Sequence, residues 1–322
     1  MTRLAITIAA LVAGLSTSFN AQSSAPAASR SPVPRTPWGH PDLQGRWSNG
    51  TVTPLERPAE LGSKEFFSEA EAAEYAKTAV QQYLKQNGFV EENNISGEYV
   101  DDVWGETRTI VPTRRTSLIV GPTGRLPALT RDARERAAAR TAVRKADRAD
   151  SPEERTLGER CLWFVPEGPP MLPGVTYNSN YEIVQTPTHV GIQIEMGNGF
   201  RIIPLDGRPH LPPGTGSWLG DSRGRWEGDT LVVETTNFSP KRDMRGSAEH
   251  LRLVERFRRV SADLIMYEFT ATDPTTWETP WTAEVPMRKM EALLYEYACH
   301  EGNYTLGNVM RAARAAEKAA ER

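Results

Sequence analysis

The chain is poor in cysteine, in histidine and in long apolar runs. Two cysteines and five histidines in 322 residues exclude a disulfide-dense miniprotein. The histidines, at 40, 189, 210, 250 and 300, show no His-x-His or His-x-x-x-His spacing, so no metal site is predicted. Neither a phosphate loop nor a dinucleotide glycine fingerprint occurs, so no cofactor is expected. Neither sign of charge dominates: 38 basic and 41 acidic side chains leave a formal charge of −3. No whole-protein cationic field therefore exists to draw in nucleic acid or anionic lipid. Beyond residue 15 no apolar stretch reaches membrane length, so no membrane span is expected. With 39% hydrophobic and 25% charged residues the chain is neither wholly disordered nor a collagen-like fibre.

Turn chemistry is abundant instead. The 24 prolines and 25 glycines argue for short elements rather than a helical bundle. A positive start with Arg3 precedes a short apolar run, Leu4 to Leu15, and then small residues including Ser23-Ser24-Ala25. That is the layout of a signal peptide, here over residues 1–25, and it points to a periplasmic or secreted protein. Residues 26–36 are a Ser/Ala/Pro linker that cannot bury enough apolar surface to order itself. In an oxidising compartment Cys161 and Cys299 read as one disulfide. The alternative is a nucleophilic Cys299 activated by His300, but neighbours on a strand face opposite ways.

Residues 37–322 read as one domain, mainly β, with a helical insertion at about 60–160. Ser68-Glu69-Ala70-Glu71 is a capping box; Ala73, Ala76, Val80 and Leu84 mark one face of the helix that follows, and Asn87-Gly88 stops it. Thr130 to Ala149 reads as a surface helix whose basic residues are interleaved with acids, and Ser151-Pro152 as another helix start. From Tyr177 the period becomes 2: His189 to Met196 puts Val190, Ile192, Ile194 and Met196 on one face and His189, Gln193 and Glu195 on the other. Asn198-Gly199 turns into Phe200–Ile203, and further runs occupy Thr230–Thr236, Leu251–Val260, Leu264–Ala271, Trp281–Met287 and Leu293–Cys299. Consecutive strands with short links make an antiparallel meander, which commonly closes into a barrel. Asn308 to Arg322 is a C-terminal helix.

Gly45-x-Trp47 resembles the Gly-x-Trp strand of lipocalin-like (calycin-type) barrels, and Gly224-Arg225-Trp226-Glu227-Gly228-Asp229 through Thr235 is similar to the central hairpin of lipocalin-like bacterial domains. The stretches Pro37–Trp47, Ile202–His210, Trp218–Ser222 and Tyr297–Tyr304 together resemble a group of exported bacterial proteins. The resemblance implies a lipocalin-like antiparallel barrel; the helical insertion departs from a plain lipocalin.

In such a barrel alternate residues face the lumen, so charges on strands are informative. Glu195, Glu234, Glu255 and Glu268 interrupt or flank apolar alternations. Glu255 runs in phase with Leu253 and Phe257, and Glu268 with Met266, which sends both inward if those faces do; Arg201 and Arg256 are available partners. The densest polar cluster is the loop from Asp206 to Asp221. There His210 suits a general base oriented by Asp206 or Asp221, with Arg208 holding an anion or carbonyl oxygen. The alternative is a loop stapled by its own Asp-Arg and Asp-backbone bonds. Gly220-Asp221-Ser222 is too short a match to a Ser-hydrolase signature to weigh.

Two functions follow as expectations. The first is an enzyme, a cofactor-independent lyase, hydratase or hydrolase acting on a small apolar or amphipathic molecule. Its catalytic candidates are His210, Asp221, Glu195 and His300, and its substrate-binding candidates Arg201, Arg208, Trp218 and Glu234. The second is a non-catalytic periplasmic ligand carrier. A scaffold that uses the Ala-rich helices predicts no enclosed cavity.

Overall fold

The computed structural model describes residues 33–86, 110–145, 149–164, 167–174 and 178–321. The expected signal segment, most of the linker, and the Asn87-Gly88 helix stop lie outside the described residues, as do the side chains of Val80 and Leu84. Nine strands form one antiparallel sheet: β1 (Gly45–Ser48), β2 (Asn180–Gln185), β3 (His189–Ile194), β4 (Phe200–Pro204), β5 (Asp221–Glu227), β6 (Thr230–Thr236), β7 (Arg252–Arg259), β8 (Leu264–Thr272) and β9 (Trp281–Lys289). The order β4-β3-β2-β1-β9-β8-β7-β6-β5 is an up-and-down meander that returns on itself at β1–β9. The chain is thus mainly β, a nearly closed antiparallel barrel. Among the described residues it carries three α-helices, α1 (Glu69–Gln86), α2 (Arg131–Lys145) and α3 (Thr305–Ala320). Among those residues, no helix is long and apolar enough to cross a membrane.

The capping box forms as its sequence requires, with Ser68 N–H donating to Glu71 Oε2 at 2.8 Å and Glu71 N–H to Ser68 Oγ at 3.3 Å. Thr130 caps α2 through a 3.1 Å bond from Ala133 N–H. Ser151 caps no α-helix: residues Pro152–Glu154 make a single 3-10 turn.

Inward faces follow the period of two. Trp47 stands opposite Tyr181, Ile192 opposite Arg201, and Phe257 opposite Tyr267. Trp47 is fully buried, donates its indole N–H to Leu43 O at 2.9 Å, and lies under the Arg259 guanidinium at 5.2 Å. Arg259 also bonds the carbonyls of Asp42 and Ala262, and so ties the start of the barrel to the β7–β8 hairpin. Glu255 points inward, as its phase implies. Glu268 does not: Ile265, Tyr267 and Phe269 form the inner face of β8, which leaves Met266 and Glu268 on the other. Met266 and Tyr267 are both buried, so the alternation on β8 is ambiguous until the ladder fixes it.

Two places show how the wall closes. The lower edge of β9 pairs with β1 only at Lys289 and Arg288. Its upper edge is taken by residues 118–120, with Glu284 N–H donating to Leu118 O and Val120 N–H to Thr282 O, each at 2.9 Å. Between β4 and β5 no ladder runs. There a Cβ at Gly224 would meet Leu205 and Ile203 within 2.6–2.8 Å, so glycine lets the β4 side chains fill the seam.

The expected strand Leu293–Cys299 is absent. After β9, Met290 N–H still donates to Arg46 O at 3.0 Å, and the chain then leaves the sheet as an irregular strap over residues 291–304. β1 and residues 118–120 already occupy the free side of β9, so a strand following directly on β9 finds no edge there to join.

Candidate functional site

The strap builds a groove. Cys161 and Cys299 are joined by a disulfide, Cα to Cα 5.7 Å, which ties it to the segment before β2. Two side chains from the β3–β4 connection hold its other end. Glu195 Oε1 accepts from Tyr295 N–H at 2.8 Å while Oε2 accepts from Asn180 Nδ2 at 2.7 Å. Asn198 donates to Tyr297 O at 3.0 Å and accepts from Tyr297 N–H at 2.9 Å. Asn198 can point this way because it sits at φ 56° beside Gly197 at φ 78°, a left-handed pair that Asn and Gly tolerate. Asn303 Nδ2 adds a 3.3 Å bond to Glu159 O.

Between strap and segment lies a cavity of about 570 Å³ walled by Phe164, Tyr295, Tyr297, Asn178, Glu296 and Glu301, among others. Phe164 and Tyr297 meet edge to face at 5.1 Å. Glu159, also on the wall, is held below the usual carboxylate range by its bond to Arg155 and the Thr156 N–H. Among the described residues that line the cavity, none is basic. The volume falls within the range of about 300–1,000 Å³ usual for small-molecule pockets.

Inside the barrel a second polar assembly spans five strands. Arg201 on β4 forks onto Glu255 on β7, with Nη1 to Oε1 at 3.0 Å and Nη2 on Oε2. Its Nε donates to Ser222 Oγ on β5 at 2.9 Å and its Nη2 to Thr235 Oγ1 on β6 at 2.7 Å. Tyr267 on β8 donates to Glu255 Oε1 at 2.9 Å and accepts from Met171 N–H at 3.0 Å. Arg201 is 3% exposed and Glu255 fully buried. Burial raises the Tyr267 hydroxyl well above its ordinary pKa, and the Glu255 charge pushes the same way. Each of the three guanidinium nitrogens of Arg201 meets an acceptor, so the arrangement closes the β4–β5 seam with side chains where backbone bonds are missing.

The Asp206–Asp221 loop divides in two. Asp206 takes Arg208 as its partner, on the surface, and that bond lowers its pKa to about 2. Asp221 takes His210: Oδ2 lies 3.0 Å from Nδ1 and accepts from Leu211 N–H at 2.8 Å, while Oδ1 accepts from Arg223 at 2.5 Å. Burial acts to raise the Asp221 pKa, but the Leu211 and His210 bonds and the Arg223 charge outweigh it and hold it low.

The residues singled out in the sequence therefore fall in separate places. His210 and Asp221 meet; Glu195 braces the strap; His300 is exposed on the strap's last turn. Arg201 is locked in the lumen, Arg208 is bound to Asp206, Trp218 is half-buried, and Glu234 pairs with Arg225 and Arg252. Sequence reasoning missed Asn198 as a clamp, Tyr297 as a groove wall, and the buried charges Glu167 and Arg242. The Asn198-Gly199 turn was visible, but its partner stands 99 positions away. Comparisons with protein-family models, curated proteins and solved structures return no match for this chain.

Proposed function

We propose that this is an exported, lipocalin-like carrier, periplasmic or secreted, that binds a small amphipathic molecule with a cationic head in the groove beside Cys161–Cys299. The observation that carries the reading is the groove itself: about 570 Å³, aromatic and acidic, with a wall pinned by a disulfide and two clamping side chains. Aromatic faces and carboxylates together favour an organic cation, and nothing basic on the described wall competes for them. Export is supported by the short apolar N-terminal run and by the disulfide. Calorimetric titration with octyltrimethylammonium and with octanoate tests it. The cation is expected to bind one to one and the anion weakly; Tyr297→Ala and the Glu296→Gln/Glu301→Gln pair should each weaken the cation about tenfold or more. Equal binding of the two amphiphiles, or no binding of either, rejects the reading.

One observation supports a second reading, acid/base chemistry of the lyase, hydratase or hydrolase kind. Asp221 orients His210 as a base would need. Untargeted metabolite turnover that is lost in His210→Ala and kept in Glu195→Gln would favour it over the carrier.

A further inference from the structure

Arg242 lies in the loop after β6, 3% exposed, and makes no ion pair among the described residues. Its guanidinium carbon lies over the ring of Phe238 at 4.6 Å and over that of Trp163 at 5.0 Å. Nη1 donates to Trp218 O at 3.1 Å and Nη2 to Pro169 O. Nε is buried with no acceptor, and so is the indole N–H of Trp163, itself 6% exposed. Two buried N–H donors on side chains in cation–π contact thus lack acceptors. Carbonyls satisfy part of a guanidinium's hydrogen bonding and none of its charge, and a buried cation left in that state is costly.

The nearest acids do not supply the missing partner. Glu255 is spent on Arg201 and Tyr267. Glu167, 7% exposed, accepts from Phe164 N–H at 2.9 Å and is packed so tightly on Gly197 that a Cβ there would overlap its carboxylate. We infer that Arg242 Nε and Trp163 Nε1 form a receptor for one oxygen or halide of a small anion, of the size of formate, acetate or chloride. The site is separate from the groove: Trp163 turns toward Arg242, whereas its neighbour Phe164 turns toward Tyr297.

The surrounding charges set a pH dependence. Facing Arg242 are Arg201 on β4, Glu255 on β7, Tyr267 on β8, and Glu167. Burial lowers Arg242 to about 9, so it is still a cation at neutral pH, and burial raises Glu167 to about 7. An anion beside Arg242 is repelled by ionised Glu167 and tolerated by the protonated form. Binding therefore takes up a proton and weakens as pH rises through 7.

The test is a titration of the full mature protein, exchanged into a buffer of a bulky anion, with formate, acetate and chloride in turn. Calorimetry and the ¹⁵N-¹H resonances of Trp163 Nε1 and Arg242 Nε are the readouts. At least one anion should move both resonances together, with affinity about tenfold tighter at pH 6 than at pH 8. Trp163→Phe, which keeps an aromatic face and deletes the donor, should weaken it about tenfold. Glu167→Gln should bind and lose the pH dependence, which serves equally if Trp163→Phe does not fold. The inference is overturned if no anion moves the two resonances, if only water contacts them, or if Trp163→Phe binds as wild type does.

Discussion

Asn198 meets Tyr297 as a neighbouring strand would, giving one hydrogen bond to its carbonyl and taking one from its N–H. A single amide thus replaces a rung of sheet for a strap that has no ladder of its own. Asn198→Asp keeps a residue that tolerates the left-handed backbone but loses the donor. The expected cost is about 1 kcal/mol, with faster amide exchange at Tyr297 and Tyr295. Unchanged exchange at those two amides would mean that Glu195 and the disulfide hold the strap without Asn198.

The Arg201–Glu255 fork should behave as a buried pair. Arg201→Met leaves the Glu255 carboxylate without its cation and is expected to cost about 3–5 kcal/mol, whereas Arg201→Met/Glu255→Leu should recover much of that loss. Denaturant unfolding of the single and double variants checks it. Strict additivity would show that the two do not interact.

Two carboxylates make stability depend on pH in opposite directions. Asp221 is held low in the fold, so its contribution is present above the unfolded carboxylate value, near 4, and is lost as pH falls through the folded one. Glu167 is raised to about 7. Its protonated form is favoured in the fold, and that advantage fades as pH rises from about 4 through 7. Glu167→Gln should therefore flatten the profile between pH 5 and 7 and gain on the order of 2 kcal/mol over wild type at pH 8. Asp221→Asn should flatten it only in acid. Urea midpoints from pH 3 to 8 separate the two.

Cys161→Ala/Cys299→Ala removes a link across 138 positions. The chain-entropy model puts the loss at about 5 kcal/mol. Thermal unfolding should shift down while the far-ultraviolet β signal of the folded state persists, because no strand depends on the bond.

The meander was legible because inner faces alternate over six or more residues, as in Val190, Ile192 and Ile194, and hairpin links are short. β5 was legible only through its resemblance to a known hairpin: Asp-Ser-Arg-Gly-Arg-Trp-Glu has low strand propensity, and its inner side is Ser222, Gly224 and Trp226. The strap reads as a strand for the converse reason. Leu293 to Cys299 has the apolar content of a strand but finds the edge of β9 already taken, and edges are a property of the assembled sheet rather than of any segment. Glu255 could be placed by its phase; its partner Arg201, 54 positions earlier, could only be offered as available. Charges such as Arg242, from an ordinary Lys-Arg-Asp loop, carry no local sign of burial.

Because residues 118–120 complete the side of β9 that β1 is too short to cover, the long insertion between the first two strands is masonry as well as ornament. A minimal version trimmed from β1 directly to β2 would bare half a strand's worth of unsatisfied peptide groups, an open template for a second molecule. Such a trimmed chain should pair with itself or precipitate, so the insertion also shields the sheet from self-association.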